Sequence, residues 1–206
     1  MDCRKLIDYR HTFPNLFRDY YPPDGALRMS FELSSEFPGH LIGLVKMVAY
    51  TGEAYIAIRG YDGWREPGGK LEPGEHYLDT IRREMLEETG TRVKDFNLFG
   101  AFHCYSLLDK APEPGLLWPE FYFLWGYGEV ERVGDPHPTE KEQILEVAYA
   151  PLDDICHLYE GTPGAGPFLQ DIYRLADMLR RENGSPYSKP NQSPACSFSV
   201  WLTSSS

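Results

Sequence analysis

One segment constrains the fold more than any other: an amphipathic helix that lies between patterns typical of strands. Apolar side chains recur at helical spacing from Tyr77 to Met85, and Gly90 stands where such a helix would end. β-branched and aromatic residues concentrate on both sides of it, at residues 40–50, 53–59, 93–108, 120–130 and 145–150. Further helices are predicted at 151–159 and 168–181. The sequence therefore predicts a mixed α/β (α+β) domain, with strands flanking helices.

A length of 206 residues favours one domain with some extension. Residues 1–38 show no sustained period and are interpreted as an N-terminal extension with one strand near 27–33. The main domain is predicted at 39–184. Residues 185–206 are mostly Ser, Pro and Asn, which is typical of a flexible tail.

Charge and composition exclude several classes of function. Hydrophobic residues make up 42% of the chain, enough for a folded core, and the formal net charge is −11. A nucleic-acid surface is therefore not expected, and a phosphorylated substrate would need metal ions to offset the charge. The four cysteines are far apart, the N-terminus lacks the pattern of a signal peptide, and the longest apolar stretch is too short to cross a membrane. We expect a cytoplasmic protein without a membrane partner.

Three acidic residues of the predicted helix indicate a metal site. Glu84, Glu87 and Glu88 are spaced i, i+3 and i+4, so their carboxylates lie on one face. They also lie near the helix C-terminus, where the helix dipole favours cations over anions. Because this arrangement costs stability, and because Mg²⁺ is bound by gathered oxygen atoms, the cluster predicts a divalent-cation site.

The surrounding residues resemble a known family signature. From residue 69 to 91 the chain matches the Nudix box, G-x5-E-x7-R-E-U-x-E-E-x-G-U, where U is a bulky aliphatic residue. All seven fixed positions agree: Gly69, Glu75, Arg83, Glu84, Glu87, Glu88 and Gly90. The one departure is Thr91 at the last U, for which Val93 is expected to supply the packing. The resemblance implies an α/β/α sandwich with a mixed sheet.

The resemblance also implies an activity: hydrolysis of a nucleoside diphosphate linked to another moiety, by attack of water on phosphorus, with Mg²⁺ or Mn²⁺. By position, Glu84, Glu87 and Glu88 resemble the metal ligands, together with the carbonyl of Gly69 or of its neighbour Gly68. Glu87, Glu88 and Arg83 are assigned to catalysis as well. Arg83 resembles the arginine that fixes the loop against the helix by pairing with the loop carboxylate, here Glu75, which we count among the substrate-binding residues.

Residues outside the box complete the predicted site. In several family members the general base is a Glu on a loop before a late strand, so Glu142 is favoured here, with Glu140 as the alternative. Trp64 and Tyr105, in or beside loops, are candidates for stacking on a base. Glu66 stands where the family commonly has Leu or Phe; it either points to solvent or adds negative charge at the pocket rim, and solvent is favoured.

Two hypotheses remain open. The first is an active metal-dependent pyrophosphohydrolase, and the second is a catalytically silent Nudix-fold module that senses or binds a nucleotide. The intact box favours activity. Nucleoside triphosphates, oxidised ones included, and ADP-ribose-like nucleotides rank nearly level as substrates. The oligomeric state is left open, with a homodimer as one option.

Overall fold

The protein is described here from a computed structural model, which covers residues 8–111, 114–138, 144–162 and 166–183. The strands are β1 (Leu27–Leu33), β2 (Ile42–Thr51), β3 (Ala54–Gly60), β4 (Gly63–Arg65), β5 (Gly68–Lys70), β6 (Thr91–Val93), β7 (Asn97–Ser106), β8 (Glu120–Arg132) and β9 (Glu146–Ala150). The helices are α1 (Tyr9–Thr12), α2 (Tyr77–Thr89), α3 (Leu152–Leu158) and α4 (Gly166–Asn183). The predicted tail, 185–206, lies outside the described residues.

The described strands form one mixed sheet in the order β1-β7-β8-β2-β3-β4, with β5 paired to β2, β6 to β8 and β9 to β3. Strands β2 and β8 run parallel, and the other pairs are antiparallel. A strand at the centre of a sheet with helices on both faces is buried on both sides, which explains the apolar run 121–125 in β8. The predicted mixed sheet is confirmed.

Each face of the sheet has its own core. Helix α2 packs on one face through Ile81 and Met85, which are fully buried with Val45 and Leu124. Helices α3 and α4 cover the other face with a larger, more aromatic cluster that includes Trp125. The α/β/α sandwich is therefore confirmed, and α2 is the helix that carries the acidic cluster.

Residues 60–74 are dense in glycine and proline, which predicts a loop, and this prediction is partly wrong because the segment contains β4 and β5. Strand β5 forms when Gly68 and Gly69 pair with Lys46 and Val45 of β2. Glycine has a low strand propensity, so the pairing is set by backbone contacts that the sequence pattern does not show. This pairing holds the backbone of Gly68 and Gly69 against β2, a central strand of the sheet.

The segment interpreted as an extension is integrated into the same core. Strand β1 pairs with β7 along its whole length, from Leu27 to Leu33, so the strand predicted there is confirmed. Ahead of it, Phe13 and Leu16 are buried against the face covered by α4. The division at residue 38 stays a prediction.

Two further expectations bear on the compartment. Cys104 and Cys156 are free and buried, and burial raises the pKa of the Cys104 thiol to about 12. Within the described residues, no helix has both the length and the apolar character needed to cross a membrane.

Candidate active site

Helix α2 is fixed at both ends. His76 caps its N-terminus by accepting the N–H of Leu78 on Nδ1 at 3.3 Å. Gly90 ends it in the left-handed conformation with φ of 66°, and a Cβ there would collide with the carbonyl of Gly134. The segment after β8 then binds this end, because the N–H of His137 donates to the carbonyl of Glu87 at 2.8 Å. The acidic C-terminal end of α2 is thus held by the left-handed turn at Gly90 and by the segment after β8.

Arg83 gathers three carboxylates. Its Nε and Nη2 each donate to one oxygen of Glu75 at 3.1 Å, a bidentate pair. Its Nη1 donates to Glu84 at 2.9 Å and to Glu87 at 3.3 Å. The repulsion expected among the glutamates is therefore offset by a guanidinium, and the predicted pairing of Arg83 with the loop carboxylate is present.

This pairing shifts both ionisation equilibria toward the charged forms. The hydrogen bonds from Arg83 lower the pKa of Glu75 from an ordinary 4.5 to about 2. The same contact with Glu75 raises the pKa of Arg83 above its usual value. Both groups stay charged at neutral pH, and the loop that carries Glu75 stays attached to α2.

Glu88 lies in a separate contact set. Its side chain is buried, and its Oε2 accepts the N–H of Gly68 at 2.7 Å. Its Oε1 lies 3.4 Å from Nη2 of Arg65, at the end of β4. Strand β5 also approaches Glu84, because a Cβ on Gly69 would collide with Oε1 of that carboxylate. Glycine at this position therefore allows the backbone and a buried carboxylate to meet.

The donor set fits a hard divalent cation. Mg²⁺ and Mn²⁺ prefer carboxylate and carbonyl oxygens, and those are the groups that α2 and β5 present to each other. Within the described part of the chain, no three acidic, histidine or cysteine side chains are already grouped as ligands of one ion. The carboxylates are held by Arg83 and Arg65 instead. The ligand assignments to Gly69, Glu84, Glu87 and Glu88 accordingly stay predictions.

The structure does not bring the two stacking candidates together. Trp64 lies in β4, where the guanidinium of Arg59 is 5.7 Å from its ring centroid. Tyr105 is exposed near the end of β7, four positions along the strand order, which is about 19 Å at normal strand spacing. One base cannot lie between them. The base candidates Glu140 and Glu142 lie outside the described residues.

The expectation that Glu66 points to solvent is wrong. Only 8% of the residue is exposed, and burial raises the pKa of its carboxyl group. Its carboxyl group raises the pKa of the Tyr159 and Tyr173 hydroxyls, which belong to the core covered by α3 and α4. The error came from judging Glu66 by residue type alone: the residue lies between β4 and β5, and its carbonyl accepts a hydrogen bond from Nζ of Lys46 at 3.0 Å.

Two contacts were missed from the sequence. Arg65 precedes the box and contacts Glu88, and its place just before the glycine loop was the available signal. Thr91, the departure from the box pattern, is fully buried and shares a hydrogen bond of 2.7 Å with Thr89 Oγ1. Thr89 in turn donates to the carbonyl of Met85 at 2.6 Å. A hydroxyl is thus accommodated where the family has an aliphatic group.

Two curated proteins are similar to part of this chain. YtkD of Bacillus subtilis (strain 168), a provisionally assigned 8-oxo-dGTP diphosphatase, is 33% identical over 87 residues, which is 42% of this chain and 52% of YtkD. The 8-oxo-dGDP phosphatase NUDT18 of Homo sapiens is 27% identical over 146 residues, which is 69% of this chain and 38% of NUDT18. The matches thus span about half of YtkD and well under half of NUDT18.

The fold is also found in solved structures. The crystal structure of the Bacillus subtilis pyrophosphohydrolase BsRppH matches with a TM-score of 0.57 and 16% identity, covering 81% of this chain and 98% of that one. The family model described as NUDIX domain matches residues 46–172, more than half of the chain. With the box, the sandwich and this match in agreement, the chain belongs to the Nudix family.

Proposed function

We propose that this chain is a Nudix pyrophosphohydrolase. It uses Mg²⁺, with Mn²⁺ as a substitute, to hydrolyse the pyrophosphate bond of a nucleoside diphosphate linked to another moiety. The observation that carries the proposal is the set of box carboxylates on α2, held by Arg83 and Arg65 beside the glycine backbone of β5. Folding energy alone does not favour so many carboxylates at one helix end.

Each box residue has a defined part in the proposal. Glu84, Glu87 and Glu88, with the carbonyl of Gly69, would hold the cations. Bound divalent ions would neutralise the substrate phosphates and lower the pKa of a coordinated water molecule. Arg83 orients two of these carboxylates through Nη1. Its bidentate pair with Glu75 attaches the loop to the helix, which keeps the glycine backbone in place.

Glu142 is proposed as the general base, with Glu140 as the alternative. Support comes from the described residues just before them: the N–H groups of Val133 and His137 bind the carbonyls of Gly90 and Glu87. Residues 133–137, shortly before Glu140 and Glu142 in the chain, therefore lie beside the acidic end of α2. Glu142→Gln should lower kcat more than it raises KM, because a base acts in the transition state. A change confined to KM would remove Glu142 from this role.

The substrate class is proposed from two sources. Both curated relatives are named for 8-oxo-guanine nucleotides, a triphosphate for YtkD and a diphosphate for NUDT18. The Pro-Gly-Gly-Lys-Leu-Glu-Pro-Gly-Glu run at residues 67–75 resembles the branch that acts on nucleoside triphosphates. We therefore place oxidised guanine nucleotides first and ADP-ribose-like nucleotides second. Water would split a triphosphate into a nucleoside monophosphate and pyrophosphate, with release of a proton.

The test is a panel of nucleotides incubated with Mg²⁺ or Mn²⁺, with the products separated by chromatography. The panel holds 8-oxo-dGTP, 8-oxo-dGDP, dGTP and ADP-ribose. We expect cleavage between phosphates that requires the cation and is lost in Glu87→Gln, while the surface control Glu131→Gln stays active. Tight binding of a nucleotide without turnover would contradict the proposal and support the silent binding module instead.

A further inference from the structure

Arg65 is placed to act on the substrate as well as on the protein. It ends β4, where it pairs with Ile58 of β3. Ile56 belongs to the core under α2, and residues two apart in a strand share a face, so Ile58 and its partner Arg65 lie on the α2 side. The guanidinium there reaches Glu88, with Nη2 3.4 Å from Oε1, and a third of the side chain, 33%, is exposed.

The guanidinium of Arg65 is only partly used by the protein. Its Nε is buried and has no hydrogen-bond partner among the described residues. The contact of Nη2 with Glu88 is longer than the roughly 2.7–2.9 Å of a good charge-assisted hydrogen bond. Leaving a buried, charged N–H unpaired costs folding free energy. Because this arginine lowers the free energy of unfolding by leaving an N–H unpaired, its presence suggests that it binds a ligand that is not part of the chain.

Arg83 provides the contrast. Its Nε, Nη1 and Nη2 all donate to carboxylates, and it is held by three glutamates. It therefore has little capacity left for a substrate. In Arg65, Nε and Nη2 form one edge of the planar group, with the first unpaired and the second loosely paired. Two donors on one edge match two oxygens of a phosphate.

We propose that Arg65 binds a phosphate of the substrate's diphosphate bridge. In the free protein Arg65 neutralises Glu88. In the loaded protein the guanidinium moves away from Glu88, which exposes Nε, so that Nε and Nη2 donate to phosphate oxygens while Glu88 is left to bind the cation. This inference rests on the proposed function, because it assumes a diphosphate substrate and a cation at Glu88. Arg65 would thus give a strongly acidic chain a positively charged contact for the substrate, from a residue outside the box.

The proposal predicts opposite effects on two ligands. Arg65→Gln removes the competitor for Glu88, so Mn²⁺ alone should bind about twofold to tenfold more tightly; the gain is modest because the ion pair is 3.4 Å long and a third of the Arg65 side chain is exposed. The same variant loses a charge-assisted contact, so methylenediphosphonate should bind roughly tenfold to a hundredfold more weakly. Arg65→Lys should recover part of the diphosphonate affinity, since a lysine keeps the charge without the planar edge.

Both affinities are measured by titration calorimetry on the full chain. Mn²⁺ is titrated without other ligands, and methylenediphosphonate is titrated into Mn²⁺-saturated protein and separately into protein in EDTA. The matched control is Arg82→Gln, since Arg82 is an exposed arginine of α2 that pairs with Asp79. We expect this control to bind both ligands like the unmodified protein. The melting temperature of each variant shows whether it is folded.

The outcomes separate the two proposals. If Arg65→Gln weakens both ligands, or leaves diphosphonate binding unchanged, the role of Arg65 is overturned while the metal site stands. If the unmodified protein binds no Mn²⁺, the metal-dependent function is overturned. The titration in EDTA then still decides whether Arg65 contacts the diphosphonate.

Discussion

The two faces of the sheet bury polar groups in different ways. Under α3 and α4 the hydroxyl of Tyr159 donates to that of Tyr173 at 2.9 Å, and Tyr173 donates to the carbonyl of Ile56 at 2.8 Å. These two hydroxyls are neutral, and burial raises the pKa of both, with a further rise from the buried carboxyl group of Glu66. Under α2 the buried polar groups include the carboxylates of Glu84 and Glu88, which have guanidiniums beside them.

This difference indicates that one face of the sheet mainly stabilises the fold and the other mainly binds ligands. A chain of neutral hydrogen bonds is complete within the protein, so the face under α4 is expected to contribute to folding. Buried carboxylates are costly unless they are paired, and their pairing here leaves one arginine underused. The face under α2 is therefore expected to contribute to ligand binding. Substitutions on the two faces should move activity and stability independently.

The largest effect is expected for Glu87→Gln. Loss of a cation ligand should lower kcat by roughly a thousandfold, or about 4 kcal/mol of transition-state stabilisation. The melting temperature should change by only a few degrees, because the ion pair with Arg83 is 3.3 Å long and partly exposed. Steady-state kinetics and calorimetry test this pair of results. A near-normal kcat would contradict the assignment of Glu87 as a ligand.

On the opposite face, Tyr173→Phe should destabilise the protein by about 1–3 kcal/mol, because the Tyr159 hydroxyl and the Ile56 carbonyl lose a buried partner. Turnover by the folded protein should stay unchanged. Urea unfolding measures the loss, and Tyr159→Phe, which removes a single bond, is the matched control with a smaller loss. A fall in kcat larger than the loss of folded protein would show that the two faces are coupled.

Glu75 should make stability depend on acid pH. Its pKa is lowered to about 2 in the folded chain, so the unfolded chain takes up the proton more readily. The stabilisation is present above pH 4.5 and is lost as the pH falls toward 2. The melting temperature of the unmodified protein should exceed that of Glu75→Gln near pH 6, with the difference shrinking toward pH 2.5. Asp79→Asn, which removes an exposed pair with Arg82, is the control. A difference that is independent of pH would contradict the ion pair with Arg83.

The smallest effect is expected at the departure from the box. Thr91→Val removes one hydroxyl, while Thr89 keeps its bond to the carbonyl of Met85. We expect a loss of about 1 kcal/mol or less in the free energy of unfolding, with unchanged kcat. Thr89→Val, which removes the bond of 2.6 Å, is the comparison and should cost more. A larger loss for Thr91→Val than for Thr89→Val would mean that Thr91, rather than Thr89, forms the main hydrogen bond to the carbonyl of Met85.

The sequence predicted what is periodic or fixed in spacing. Helix α2 and strand β1 were located correctly, because their patterns and terminators are local. The position of Glu66 and the strand character of Gly68–Lys70 were missed, because both depend on contacts with β2: residues 68–70 pair with it, and the carbonyl of Glu66 accepts from Nζ of Lys46. The contact of Arg65 with Glu88 also joins residues that are far apart in the chain, so no spacing rule reveals it. The box identified the carboxylates, whereas their partners required the fold.

The most direct test is a crystal soaked in MnCl₂ and measured for anomalous scattering of manganese. The account predicts an anomalous peak in contact with oxygens of Glu87 and Glu88, near the backbone of Gly69, with the guanidinium of Arg65 moved away from Glu88. An empty map at this end of α2 at millimolar manganese, with Arg83 and Arg65 still on the carboxylates, would contradict it.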